Sequence, residues 1–178
     1  MRLFLLKQRA GMVLSVVLTG IALTWVCNAS VAAEPQPETV RETHGDWAIR
    51  CSAARPGDCY MVQLGYDAAG NPMAEFSLVR FGEGRQAAAG ATIIVPLGTA
   101  LPEGLALSVD GGEVRHYIFD VCTPAGCAAN IALPDAQVAA LKRGARANIA
   151  FVPIASPDRT VSVSISLSGF TKAYEALR

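Results

Sequence analysis

The chain has 178 residues, and its 15 Lys and Arg balance its 15 Asp and Glu, so the formal charge is zero. It is 52% hydrophobic and 17% charged, which is too apolar for a disordered protein and too evenly charged for a nucleic-acid-binding domain. The 16 Gly and 10 Pro residues favour a fold rich in turns over a helical bundle.

The first 33 residues have the features of a Sec-type signal peptide. Basic residues stand at the start, the run from 10 to 26 carries no charge, and the segment ends in the small residues Ala32 and Ala33. This order of regions predicts cleavage after Ala33. We therefore expect a periplasmic or secreted protein, in which the polar residues 34–43 form a flexible leader and residues 44–178 form a single β-rich domain.

Two other interpretations of this first segment stay open. The apolar run is about long enough to cross a bilayer, so an uncleaved membrane anchor is compatible with it. Acylation of Cys27 would instead make a lipoprotein, although Val26 is larger than the residue that normally precedes a lipidated cysteine.

The mature chain is expected to be mildly acidic. Cleavage removes three of the 15 basic residues and none of the 15 acids, which leaves a 145-residue chain with a formal charge of −3. This charge gives no reason to expect attraction to nucleic acid or to anionic lipid. No later segment is apolar over a length that would span a membrane as a helix.

Four cysteines remain after cleavage, and an even number in an exported protein indicates two disulfide bonds. Three pairings are possible. We favour Cys51–Cys59 and Cys122–Cys127, because each pair brackets a short turn that contains Pro and Gly, and each bond would contribute about 2–3 kcal/mol. The spacings C-x7-C and C-x4-C differ from the C-x2-C of zinc sites and redox pairs, so we expect no metal and no cofactor.

Alternating apolar residues and turn signals predict nine short strands and two short helices. The second helix is predicted from the spacing of Phe170, Ala173, Tyr174 and Leu177, which suits an amphipathic helix. The strands are predicted over 47–51, 60–66, 75–81, 92–95, 105–109, 114–121, 128–133, 147–151 and 160–168, and the first helix over 134–143. Such a pattern favours an all-β fold, a mostly antiparallel β-sandwich or barrel.

Four stretches, in order along the chain, resemble the invasion-associated locus B family of exported bacterial proteins. They are His44-Gly45-Asp46-Trp47-Ala48-Ile49-Arg50-Cys51, then Val95-Pro96-Leu97-Gly98 with Leu101-Pro102-Glu103-Gly104-Leu105, then Val109-Asp110-Gly111-Gly112 with the turn Cys122 to Cys127, and Ser166-Leu167-Ser168-Gly169-Phe170 with Ala173. The resemblance implies a secreted or periplasmic β-rich domain, linked in some members to host-cell invasion or colonisation. It implies no catalytic residues.

Few side chains suggest catalysis. The serines of Ser162 to Ser168 lack a G-x-S-x-G elbow, so we interpret them as a solvated strand face. The only histidines are His44, expected at a strand edge, and His116, expected half-buried on a strand. Either is a weak candidate for a general base.

Other chemical candidates have simpler structural explanations. Asp110 and Asp120 could be a carboxylate pair, but Asp110 suits a turn with the glycines that follow it. The segment Gly82-Glu83-Gly84 lacks the spacing of a phosphate-binding loop, so we expect a loop.

The residues that could contact a partner also have simpler explanations. Trp47 alternates with Ile49, which is typical of a core position rather than a partner anchor. Arg80, Arg85 and Arg115 could mark an interaction face, but a scattered, solvated distribution is the simpler expectation.

The sequence therefore favours a non-enzymatic exported protein that acts through its surface on an envelope or host partner. Two alternatives remain. One is a periplasmic binding or assembly factor with an exposed strand edge or small apolar pocket, and the other is a periplasmic hydrolase built around His44 or His116.

Overall fold

A computed structural model describes residues 37–177, and these residues form eleven strands, two α-helices and one 3-10 turn. The predicted cleavage after Ala33 lies outside this range. The strands are β1 Glu38–His44, β2 Trp47–Ser52, β3 Cys59–Tyr66, β4 Pro72–Arg80, β5 Ala89–Val95, β6 Leu105–Val109, β7 Arg115–Tyr117, β8 Val121–Thr123, β9 Gly126–Leu133, β10 Arg146–Phe151 and β11 Val161–Ser166. The helices are α1 Asp135–Arg143 and α2 Phe170–Ala176, and the 3-10 turn is Leu101–Glu103.

The strands form two antiparallel sheets. A seven-stranded sheet has the order β1-β2-β3-β4-β5-β9-β8, and a four-stranded sheet has the order β11-β10-β6-β7. Residues of both sheets and both helices share one hydrophobic core. The predicted all-β, sandwich-like fold with two short helices is thereby confirmed, and the sheets do not close into a barrel.

The period-two pattern of the sequence matches the burial of the strands. In β5, alternate residues from Ala89 to Val95 are buried. In β11, Val163 and Ile165 are buried while Ser162 and Ser164 are exposed, as predicted for a solvated face, but Ser166 is half-buried. Successive side chains of a strand point to opposite faces, so each strand gives one face to the core.

The flexible leader predicted over residues 34–43 is wrong from Glu38 onward, because these residues form β1. The strand pairs with β2 along its whole length, from Glu38 opposite Ser52 to His44 opposite Trp47, with an irregular register at Arg41. Most of its side chains are exposed. Backbone pairing rather than apolar burial therefore holds β1, and a hydrophobic pattern could not show it.

The single strand predicted over residues 114–121 is also wrong, because the chain changes sheets within it. Tyr117 ends β7 at the edge of the four-stranded sheet, while Val121 begins β8 at the edge of the seven-stranded sheet. The residues between them cross from one sheet to the other, and the Asp120 amide donates to Ala128 O at 2.8 Å.

Both predicted helices are present. Pro134 precedes α1, Lys142 and Arg143 lie in its last turn, and the Gly144 amide donates to Ala140 O where the helix ends. The aromatic face of α2 is buried on the core through Phe170 and Tyr174. Neither helix within residues 37–177 has the length and apolarity to cross a bilayer.

Two disulfide bonds join directly opposed residues of neighbouring strands. Cys51 of β2 is bonded to Cys59 of β3, and Cys122 of β8 is bonded to Cys127 of β9. Each bond closes one of the turns that contain Pro and Gly. The second bond fastens the three-residue strand β8 to the sheet.

Cys122→Ser is expected to lower the free energy of unfolding by about 2 kcal/mol, since the bond closes a loop of sequence separation 5. Urea unfolding followed by circular dichroism measures the change. In a reducing agent the difference between variant and wild type should nearly vanish, because the bond is then open in both. An unchanged midpoint under oxidising conditions would contradict the prediction.

Candidate functional site

The first and last of the resembling segments lie against each other at the turn between β1 and β2. The Asp46 amide donates to Ser168 O at 3.1 Å. Gly45 and Gly169 have φ angles of +56° and +84°, which side chains disfavour. A Cβ at Gly45 would lie 2.5 Å from Ser168 O. These glycines let two backbone segments touch, so both segments have a structural role.

A buried glutamine joins the two sheets beside this contact. The side-chain amide of Gln63 donates to Ser166 O and to Asp46 O, each at 3.0 Å, and its oxygen accepts from the Ser166 amide at 2.8 Å. Trp47 Nε1 also donates to Ser166 O at 3.0 Å. The Gln63 side chain thus pairs with the backbone N–H and C=O of Ser166 at the edge of β11, as a neighbouring strand would. Sequence reasoning missed Gln63, although its core-facing position between Met61 and Gly65 was a signal.

The two histidines are not brought together. His44 ends β1, at the predicted strand edge, and its Nε2 lies 3.0 Å from Glu42 Oε2. The Arg41 guanidinium, hydrogen-bonded to Glu42, lowers the pKa of that carboxyl. His116 is on β7 of the other sheet and is exposed, so its predicted half-burial is wrong: the strand is a short edge with nothing packed over that side chain.

The two aspartates hold backbone amides rather than a shared site. Asp110 occupies a turn with φ of +49°, and its carboxylate accepts from the amides of Ala145 and Arg146 at 2.8 Å. These two hydrogen bonds lower the pKa of the Asp110 carboxyl, and the bond from Ala145 has the larger effect. Asp120 accepts from the Asn130 amide at 2.7 Å. Each carboxylate therefore fixes the course of the chain next to it.

The remaining candidates also have local roles. Trp47 is fully buried in the core, as its alternation predicted. Each of the three arginines has its own neighbour: the Arg80 guanidinium lies over the Tyr174 ring, Arg85 over the Phe81 ring, and Arg115, on the other sheet, pairs with a neighbouring glutamate. Gly82 and Gly84 lie in the loop between β4 and β5.

The described surface includes three open clefts. One of about 490 Å³ lies between α1 and the β6–β7 hairpin, with an apolar floor that includes Leu107 and Leu141 and a rim that carries Arg115 and Arg143. The others, of about 610 and 420 Å³, lie on the outer face of the seven-stranded sheet. In the described part of the chain, no three His, Cys, Asp or Glu side chains are grouped to hold a metal ion.

A different feature stands out at the end of the sandwich where β5 and β10 finish and β6 begins. Five large apolar side chains are exposed there, in segments far apart in the sequence. We call this set the apolar end: Leu97 (58% exposed), Leu101 (46%), Ile118 (78%), Val121 (51%) and Ile154 (65%). Exposed apolar side chains gathered at one place mark interaction surfaces more often than scattered ones do.

The strand register explains why these segments meet. In the four-stranded sheet Leu105 pairs with Tyr117 and Ala106 pairs with Ala150, and in the seven-stranded sheet Val95 pairs with Cys127. An isolated bridge between Thr99 and Pro153 joins the loops that follow β5 and β10. The loops after Val95 and Phe151 and the segment after Tyr117 therefore leave the sheets at the same end. Sequence reasoning did not single out the apolar end, although large aliphatic residues inside Pro-containing loops were a signal.

Main-chain hydrogen bonds hold the two longer loops of the apolar end together. The Ala100 amide donates to Val152 O and the Ile154 amide donates to Gly98 O, each at 2.7 Å. Thr99 is buried, and its hydroxyl donates to Pro96 O at 2.9 Å. The exposed side chains of Leu97, Leu101 and Ile154 are thus presented by a hydrogen-bonded backbone, which reduces the entropy that binding would cost.

The loops of the apolar end are free of charge, and between its members Ile118 and Val121 the only charged residue is Asp120. Residues 96–102, 121–126 and 152–157 contain no Asp, Glu, Lys or Arg, although 17% of the whole chain is charged. The charged residues that border them in the sequence are Glu103, Asp120 and Asp158. The surface is thus suited to an apolar, uncharged partner.

Proteins of known name and structure resemble this chain over most of its length. It is 28% identical over 167 residues to an invasion protein B homolog of Brucella abortus (strain 2308), covering 89% of this chain and 94% of the relative. The crystal structure of invasion associated protein b from Bartonella henselae superposes with a TM-score of 0.67 at 27% identity, covering 76% of this chain and 94% of that one.

The family itself follows from the match to its sequence pattern. Residues 47–178, which include the Trp47 strand, both disulfides and the closing segment, match the family described as Invasion associated locus B (IalB) protein. The resemblance drawn from the four motifs is confirmed, and this chain belongs to the IalB family.

Proposed function

We propose that this IalB-family member is an exported protein that does no chemistry and acts by docking the apolar end on a partner in the bacterial envelope or on a host cell, and so supports host-cell invasion or colonisation. The observation that carries the proposal is that five exposed aliphatic side chains lie at one end of the sandwich, three of them on two loops that are hydrogen-bonded to each other. Burial of aliphatic side chains is a main source of binding free energy.

The positions and hydrogen bonds of the candidate catalytic residues support a function in surface binding more than a function as a hydrolase. The carboxylates of Asp110 and Asp120 are occupied by backbone amides. The imidazole of His44 lies against Glu42, and His116 stands exposed on the opposite sheet. A general base needs a substrate proton within hydrogen-bond reach in a shaped site. Of these groups only Asp110 lies in one of the three clefts, and its carboxylate oxygens already accept hydrogen bonds from backbone amides.

Export is supported by the combination of the predicted signal peptide with two disulfide bonds. Disulfide bonds persist in oxidising compartments such as the periplasm and are rare in the cytosol. The names of the relatives from Brucella and Bartonella, both of which refer to invasion, support the host-cell side of the proposal.

The test is complementation of a strain that lacks the gene. One plasmid carries the wild-type chain, a second carries Leu97→Ser, Leu101→Ser and Ile154→Ser, and a third is a matched control with Val40→Ser, Val79→Ser and Val114→Ser. The control residues are exposed aliphatics outside the apolar end. Host-cell entry and envelope integrity are measured at equal protein levels.

We expect the apolar-end variant to behave as the deletion strain does and the control variant to behave as the wild type does. A defect in entry alone indicates a host partner, and a defect in envelope integrity alone indicates an envelope partner. Full complementation by the apolar-end variant would contradict the proposed function.

A further inference from the structure

The surface described as the apolar end has the chemistry of a lipid-binding tip. We propose that its partner is an uncharged lipid bilayer surface, into which Leu97, Leu101 and Ile154 insert from their loops. This inference names the partner of the proposed docking site and so rests on the proposed function. The proposed contact between the loops and the bilayer is peripheral and reversible.

The backbone of these loops suits an apolar medium. A peptide N–H or C=O that enters hydrocarbon without a partner costs several kcal/mol. Here the amides of Ala100 and Ile154 donate across the two loops, and the Glu103 and Gly104 amides donate within the 3-10 turn. Pro96, Pro102, Pro153 and Pro157 have no N–H to satisfy. The loops therefore reach the lipid with many of their backbone donors already paired or missing.

The shape of the apolar end favours lipid over a peptide. The three inserting side chains, Leu97, Leu101 and Ile154, stand on two loops and not on a strand, and none of them lines any of the three clefts. A peptide partner commonly uses a groove or an exposed strand edge. Separate aliphatic tips on a fixed backbone can each enter a fluid acyl layer without a matching groove.

The charges around the apolar end select the kind of lipid. The inserting loops carry no charge, and the charged residues that border the uncharged segments are the acids Glu103, Asp120 and Asp158, with Arg159 the residue after Asp158. Proteins that bind anionic leaflets carry clusters of Lys and Arg, which this end lacks. Apolar insertion into zwitterionic lipid is therefore the expected mode, and anionic lipid should not strengthen it.

A local fluorescence experiment tests the insertion. Leu97→Trp and, as the matched control, Val114→Trp in the β6–β7 turn are prepared in the protein as recovered from the periplasm. Each is mixed with phosphatidylcholine vesicles. We expect the emission of Leu97→Trp to shift to shorter wavelength and to be quenched by lipids with brominated acyl chains, while Val114→Trp shows neither change. Trp47 is buried and present in both variants, so a difference between their spectra reports on position 97 and not on residues 1–36.

Vesicle co-sedimentation tests the contribution of the three side chains. The variant with Leu97, Leu101 and Ile154 all replaced by serine is expected to bind phosphatidylcholine vesicles about tenfold or more weakly than the wild type, because it loses three aliphatic side chains that enter the lipid. The serine variant of Val40, Val79 and Val114 should bind as the wild type does. Equal urea midpoints for the variants show that folding is unaffected.

The outcomes separate this inference from the proposed function. Absent vesicle binding, or binding that appears only when phosphatidylglycerol is added, overturns the lipid inference. If the apolar-end variant nevertheless fails to complement the deletion strain, the proposed function stands and the partner is an apolar protein surface. If vesicle binding is absent and complementation is complete, both proposals fall.

Discussion

Replacing Trp47 by alanine is expected to lower the free energy of unfolding by about 3–5 kcal/mol. The indole is fully buried and packs edge-to-face on Phe76 and Phe170, with ring centroids at 5.6 and 5.2 Å. It thereby ties strand β2 to strand β4 and helix α2. Its removal leaves a cavity where the sheets and the C-terminal helix meet, and Ser166 O loses one of its two side-chain donors.

Urea unfolding measured by circular dichroism gives the size of this effect. Trp47→Phe is the matched control, because it keeps an aromatic ring in the core and loses the Nε1 donor. We expect it to cost clearly less than the alanine variant, about 1–2 kcal/mol. A loss of less than about 1 kcal/mol for the alanine variant would mean that the core closes around the vacancy. That result would contradict the prediction that the contacts of Trp47 with Phe76 and Phe170 hold the core together.

Gly169→Ala is expected to cost about 2–5 kcal/mol. The residue has φ of +84°, where an L side chain costs about 1–2 kcal/mol, and its Cβ would collide with the backbone carbonyl of His44. Because that carbonyl is part of the backbone of β1, it cannot turn away as a side chain can. Overpacking of this kind adds about 1–3 kcal/mol. Urea unfolding measures the loss.

Gly70→Ala separates the two contributions to this cost. Gly70 has the same φ of +84° in the β3–β4 turn, but an added Cβ there would meet nothing within 4 Å. Its alanine variant should therefore lose only the conformational part, about 1–2 kcal/mol. Equal losses in the two variants would show that the contact between residues 44 and 169 does not constrain the fold.

The sequence predicted those parts of the fold in which burial follows a regular period. The alternation of Val163 and Ile165 with serines indicated β11, and the spacing of Phe170 and Tyr174 indicated α2. β1 could not be predicted in this way, because its side chains are mostly exposed and its strand geometry comes from hydrogen bonds to β2. The change of sheet after Tyr117 was hidden because apolar residues continue on both sides of it.

The candidate site was harder to predict than the fold. The loops that carry Leu97 and Ile154 are far apart in the sequence, and only the register of β5, β6 and β10 brings them to one end. A sequence shows that a side chain is apolar, but whether it is exposed depends on the neighbours that the fold supplies. For Asp110, the sequence predicted the turn, because glycines follow the aspartate. It could not predict the hydrogen bonds to the Ala145 and Arg146 amides, which lie far away in the sequence.

The irregular register at Arg41 affects how readily strand β1 could pair with a strand of another molecule. The guanidinium of this residue binds Glu42 and also donates to Ala176 O of helix α2 at 3.0 Å. One edge strand of the larger sheet, β1, is thus held in an irregular, charged form. Flat and apolar borders recruit further chains into fibrils, whereas bulged and charged ones resist such growth. The β1 edge is therefore poorly suited to pairing with a strand of another copy of the chain.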